Sequence, residues 1–300
     1  MLARNFSDFL HAMPSVAGPT PDAAHDYGHD HDHEALEIFL NRPHPSVATM
    51  EKYFASAATE FGVPEILLRS YGQVQSNWAQ VSGSMYGSWG MTGLVESGSI
   101  RQISEASTLL NVSADDIKND AFTNIRAAAA LLAKYQQRAG KAITPEDWFE
   151  SVRQLTGLTD PAMQTSLANR VYETMQQGSK TISLWGEIIL LKPVENLKLP
   201  EPANTLKEGS GILPLGNGSP DYPGAIYSLT TCNYNTRPVG AAIKYYFVHY
   251  IALGTYEGAI SWFKNCTDPD ANSSSHYVVR NHDGQITQVV DEEDRAWTQG

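Results

Sequence analysis

The sequence predicts a two-domain chain, an all-α unit over residues 46–178 followed by part of a mixed α/β unit over residues 221–300. Three observations carry this expectation. Residues 46–178 repeat apolar side chains at helical spacing between cap and stop residues. Residues 179–220 lose that period; SLWGEIILL could be a short strand, but the rest is Pro, Gly, Asn and Lys, the composition of a linker. Beyond residue 221, aromatic and β-branched runs alternate with turn signals and one helical stretch.

Residues 1–45 are rich in Pro, Ala, His and Asp without periodicity and read as a flexible leader. Their tract from His25 to His33 has metal-ligand residue types, a composition that on tails binds metals weakly. The N-terminal stretch has a weak basic start and no unbroken apolar h-region, so it carries no clear export signal. Helical punctuation begins at Pro45. Met50, Tyr53, Phe54, Ala57, Ala58 and Phe61 form one apolar stripe, Gly62 suits a left-handed cap, and Pro64 suits the first turn of a second helix. That second helix carries Ile66, Leu67, Tyr71, Val74 and Trp78, and the Gly/Ser-rich stretch after it, VSGSMYGSWGMTGL, reads as loop.

Ser113 with Asp116 makes a variant capping box, and NIRAAAALLAKYQQRAG forms a helix that closes at Gly140. TPEDWFESVRQLTG and DPAMQTSLANRVYETMQQG each open on a cap residue followed by Pro and end on Gly. In the C-terminal part, KYYFVHYIA reads as a strand and TYEGAISWFKN as a helix. HYVVR and QITQVV read as two strands joined by a turn at Asp283-Gly284.

Composition bounds the function. A net charge of −12 leaves no basic patch for a nucleic-acid backbone and suits a neutral or mixed-charge substrate. No apolar run approaches the ~20 residues of a membrane span. Cys232 and Cys266 are compatible with one disulfide in an exported protein or with two buried free thiols.

The segments EFGVPEILLRSYGQVQSNW, YGSWGMTGL and NIRAAAALLAKYQQ resemble the lysozyme-like, lytic-transglycosylase-like domains that bind peptidoglycan glycan strands. That resemblance places Gln75, followed by Ser76, where the family has a catalytic glutamate, with Gly90-Met91-Thr92-Gly93-Leu94 as the supporting loop. A glutamine cannot protonate a leaving oxygen, so the resemblance implies a groove that holds glycan without cleaving it. Trp78, Tyr86 and Trp89 would either stack on sugars or pack in the core. Glu96 lies nearby in sequence, but nothing in its spacing makes it a substitute acid.

YFVHY, ISWFKNC, SSSHYVV, HDGQITQVV and DRAW, in that order, resemble the type-2 zinc N-acetylmuramoyl-L-alanine amidases, which share a fold with peptidoglycan recognition proteins. The resemblance implies zinc as cofactor and hydrolysis of the amide between N-acetylmuramic acid and L-alanine. It makes His249 the first zinc ligand, where the bland reading is a core histidine at the end of an apolar strand. It sets His276 and Trp297 near the substrate groove, and it favours a Cys232–Cys266 disulfide. Ser275 stands where some members carry a catalytic tyrosine, and Thr298 replaces the histidine of an Ala-Trp-His motif. The family's other ligands belong to a part not represented in these residues, so the site is expected to be incomplete in this chain. The implied partner is peptidoglycan, and the implied location is outside the cell or in its envelope. The rival reading is a peptidoglycan-binding protein whose two hydrolase-like units have both lost their chemistry.

Overall fold

A computed structural model describes residues 44–81, 83–84, 86–139, 144–198, 219–243, 246–249, 254–281 and 283–298. The leader to residue 43, its histidine tract, the closure at Gly140, residues 199–218 and residues 244–245 and 250–253 lie outside the described residues. Within them the chain is mixed: helices form most of the N-terminal part, and small sheets with one helix form the C-terminal part.

Helix α1 (Val47–Phe61) starts where the Ser46 hydroxyl accepts the Thr49 N–H and ends at Gly62, whose φ of 67° is the left-handed cap anticipated. Its stripe of Met50, Phe54, Ala57 and Ala58 is buried. Helix α2 (Glu65–Ser76) follows, with Pro64 just outside its first turn. It stops before Trp78 because Asn77 and Trp78 take φ of 50° and 60°. Asn adopts that region readily, whereas for an aromatic residue it is strained. The strain is held by burial: Trp78 is 0% exposed, and its indole N–H donates to the Arg69 carbonyl at 2.9 Å.

The Gly/Ser-rich stretch expected as loop contains three short antiparallel strands, β1 (Ser88–Trp89), β2 (Leu94–Ser97) and β3 (Ile100–Arg101). Then come α3 (Gln102–Leu110), α4 (Ala114–Asn119), α5 (Ala121–Ala139), a 3-10 turn at Pro145–Trp148, α6 (Phe149–Leu155) and α7 (Pro161–Gln177). The caps are those the sequence announces. Ser113 accepts from the Asp116 N–H, Thr144 and Asp147 form a capping box, and Asp160 accepts from the N–H groups of Ala162 and Met163. Helix α5 packs on α1, α3, α4 and α6 around Phe54, Leu67, Ile103, Ile125 and Leu131.

The segment read as a linker begins instead with a hairpin, β4 (Ser179–Ile182) and β5 (Ile188–Leu191). Ile189 and Leu191 alternate inward on β5 and join the helical core, and Leu197 follows them. The possible short strand in SLWGEIILL is thus present as β5, and β4 is the partner the sequence did not show.

In the C-terminal part, β6 (Ile226–Tyr227) runs parallel to β9 (Ile286–Gln288), which pairs antiparallel with β8 (Tyr277–Val279). The β8–β9 hairpin is the one expected, with Gly284 at φ 76° in its turn. A second ladder joins β7 (Tyr234–Thr236) to β10 (Asp294–Ala296). Helix α8 (Tyr256–Phe263) lies between and packs on α7. A disulfide joins Cys232 to Cys266, which removes the free-thiol alternative.

Of the strand expected over KYYFVHYIA only residues 246–249 are described, and there the structure corrects it. Residues 246–249 are irregular, and Tyr246, Phe247 and Val248 are 83%, 76% and 96% exposed. Strand propensity expresses packing against a neighbouring ladder, and no described strand pairs with this run.

Candidate functional site

Chemistry-bearing side chains gather in two places. The first surrounds the end of α2. Tyr71 is fully buried; its hydroxyl donates to the Leu155 carbonyl at 2.8 Å and accepts from the Gln75 amide at 2.9 Å. Burial pushes that phenol far above its ordinary range. The Ser76 hydroxyl donates to the Met91 carbonyl at 2.7 Å, and Asn124 of α5 holds the same loop by accepting from the Thr92 N–H at 2.9 Å. Gly93 has φ 61°, and a Cβ there would lie 2.7 Å from the Gln75 carbonyl oxygen, so the loop closes directly over that side chain. The structure thus brings Gln75 together with the Gly90–Leu94 loop.

It does not bring the aromatics there as a sugar platform. Trp78 is sealed in the core and offers no face to a saccharide, so of its two readings, sugar stacking and core packing, the structure gives core packing. Tyr86 is buried, and its hydroxyl accepts the Thr255 N–H. Trp89 is half-buried, with the Lys118 ammonium 4.7 Å from its ring centroid. Glu96 accepts from the Ser104 N–H at 3.1 Å and from its hydroxyl, so it caps the first turn of α3.

The second place is the β7–β10 ladder. His276 precedes β8, and its Nε2 lies 3.2 Å from the Asp294 carbonyl oxygen and 3.4 Å from Nη2 of Arg237. Arg237 donates to the same carbonyl at 2.7 Å and to that of Glu292 at 3.2 Å. Trp297 is tied on both sides: its indole N–H donates to Asn235, and its backbone N–H donates to the Ser274 hydroxyl at 2.9 Å. The structure therefore gathers His276 and Trp297 at one ladder, together with Asn235 within it and Arg237 at its end, which the sequence reading did not single out. Their types are ordinary and their spacing shows nothing; only the pairing of Asn235 with Arg295 reveals the shared register.

Beside this ladder stand two phenols held by carboxylates. Tyr227 donates to Asp291 at 2.8 Å, and Tyr277 donates to Glu292 at 2.8 Å. Desolvation and then the carboxylate partner push Tyr227 up to about 12 and Tyr277 higher still.

Residues 239–300 match the family model described as N-acetylmuramoyl-L-alanine amidase. The segment resembles such an amidase. A stretch of 44 residues is 54% identical to N-acetylmuramoyl-L-alanine amidase A of Achromobacter lyticus, covering 15% of this chain and 23% of that protein. The chain thus spans under a quarter of the relative it matches.

Amidases of this family are typically zinc-dependent, and the described residues do not by themselves make a complete site for such an ion. No group of three or more His, Cys, Asp or Glu side chains among them converges to hold a metal. His249 is exposed, both cysteines are consumed by the disulfide, and the Arg237 guanidinium beside His276 repels a cation there. Among the described helices none is long and apolar enough to cross a membrane.

Proposed function

We propose that this protein is a peptidoglycan hydrolase that cleaves the amide between N-acetylmuramic acid and L-alanine, and that this chain carries only part of its site. The observation that carries the reading is the match over residues 239–300, which takes in His249, α8, the β8–β9 hairpin and Trp297. In this reading the β7–β10 ladder is the substrate-facing wall. The Trp297 ring is held by Asn235, and the Arg237 guanidinium is aimed across the ladder toward His276. An aromatic face beside a fixed guanidinium suits a sugar ring carrying a carboxylated peptide stem. His249 is proposed as the one metal ligand these residues contribute. The ligands that would complete the ion's shell are not among the described residues, so no catalytic step is assigned to it here. The helical unit is proposed to be lysozyme-like in descent, with Gln75 in place of its acid. Action outside the cell or in its envelope follows from such a substrate.

The second reading is a peptidoglycan-binding protein without catalysis. Gln75, Ser275 and Thr298 favour it, because each puts a side chain unable to transfer a proton efficiently where the resembled families have an acid, a phenol or an imidazole. Incubation of purified cell walls with the protein carrying its complete site separates the two. The amidase reading predicts new L-alanine amino termini, diminished by His249→Ala. Co-sedimentation with the walls without new amino termini supports the second reading and overturns the first.

A further inference from the structure

The two units expected to be independent share a buried junction, and it lies at the helical unit's own cleft. One wall of that cleft is the β1–β3 ribbon, with Tyr86, Val95 and Ser97. The other is the turn from Gly157 to Thr159 between α6 and α7. Helix α8 lies between these walls and leaves only about 30 Å³ unfilled, space for a water molecule but not a sugar ring. Tyr86, Leu158, Met163 and Leu167 from the helical side form one apolar cluster with Tyr256, Ala259, Ile260 and Trp262 from α8. Val74, the neighbour of Gln75, packs against the same cluster.

The polar fit is as complete as the apolar one. Glu257 on α8 is 0% exposed and is paired with Arg170 at 2.6 Å, with the Ser166 hydroxyl at 3.2 Å from its other oxygen. Lys264 reaches Asp160 at 2.8 Å, and Ser97 donates to Asp268 at 3.0 Å. The Ser261 hydroxyl accepts the N–H groups of Thr159 and Asp160, and the Tyr86 hydroxyl accepts that of Thr255 at the start of α8. Shape agrees as well. A Cβ at Gly258 would come within 2.4 Å of the Tyr86 ring, so that position has no room for a side chain.

We infer that the cleft beside Gln75 is a docking socket for α8. The helical unit then serves as an intramolecular scaffold that holds the amidase-like segment. This inference stands apart from the amidase reading, since it requires only that α8 be seated.

The experiment uses the full chain, with amide hydrogen exchange over α8 and titration with tetra-N-acetylchitotetraose followed by the amide signals of Gln75 and Gly93. In the wild type, α8 amides are protected and the sugar leaves both signals unmoved. Gly258→Leu obstructs the socket and lowers α8 protection by about tenfold or more, while helices α1 and α5 keep theirs. Should that variant fail to fold, the charge reversal Arg170→Glu lowers the same protection, and adding Glu257→Arg restores it. The inference is overturned if the wild type binds the sugar with shifts at Gln75 and Gly93. It is equally overturned if α8 exchanges as fast in the wild type as in Gly258→Leu, or if the reversed pair restores nothing.

Discussion

Replacing Arg170 by methionine isolates the energetics of the junction. The change keeps most of the side-chain volume and removes the guanidinium, leaving the Glu257 carboxylate buried with a single hydroxyl, that of Ser166. Breaking a buried ion pair on one side costs about 3–5 kcal/mol, because the remaining charge is uncompensated. Arg170 itself is 22% exposed and Ser166 stays, so the lower end applies, ~3 kcal/mol at neutral pH. Urea unfolding at pH 7, followed by tryptophan fluorescence, reads this directly, and Arg170→Met/Glu257→Leu should recover most of the loss. A loss below ~1 kcal/mol, as exposed pairs give, refutes the reasoning. So does a double variant that recovers none of it.

Three further outcomes are expected. Gln75→Glu restores a carboxylic acid to the end of α2 but releases no new reducing ends from glycan strands, because α8 fills the adjacent cleft; a reducing-sugar assay checks it. Cys232→Ser opens a loop of sequence separation 34 and lowers the unfolding free energy of the C-terminal part by about 3.5–4 kcal/mol on the chain-entropy account, measured by denaturant titration with and without reductant. Tyr256, desolvated beside α7 and hydrogen-bonded to Thr287, ionises at about 12 rather than 10. The stability this contributes is present below pH 10 and is lost as pH rises through 12; ultraviolet titration of wild type against Tyr256→Phe follows that one phenol.

Much of the helical part was legible because its information is local. Ser46, Ser113, Thr144 and Asp160 act on amides two or three residues away, and stripes such as Met50–Phe54–Ala57 repeat with the helical period. The β8–β9 hairpin was legible for the same reason, through Asp283-Gly284. What failed depends on distant partners. The YFVH run has strand composition, but a strand exists only where a ladder accepts it, and residues 246–249 find none among the described strands. Trp78 stayed open between sugar stacking and core packing because sequence does not report that its backbone turns at φ 60° and that its ring is buried. Of the candidate site, Gln75 with its glycine loop and His276 with Trp297 could be named from motifs. Arg237, Asn235 and the Arg170–Glu257 pair could not, since their meaning arises only when β7 meets β10 and α8 meets α7.

The central claim is that the protein hydrolyses the muramoyl–L-alanine amide. The most direct measurement is amino-terminal labelling of purified cell walls after incubation with the protein carrying its complete site, with reducing ends counted in parallel. The account predicts a time-dependent rise in L-alanine amino termini with no rise in reducing ends. Walls that gain reducing ends alone, or no new termini of either kind, would contradict it.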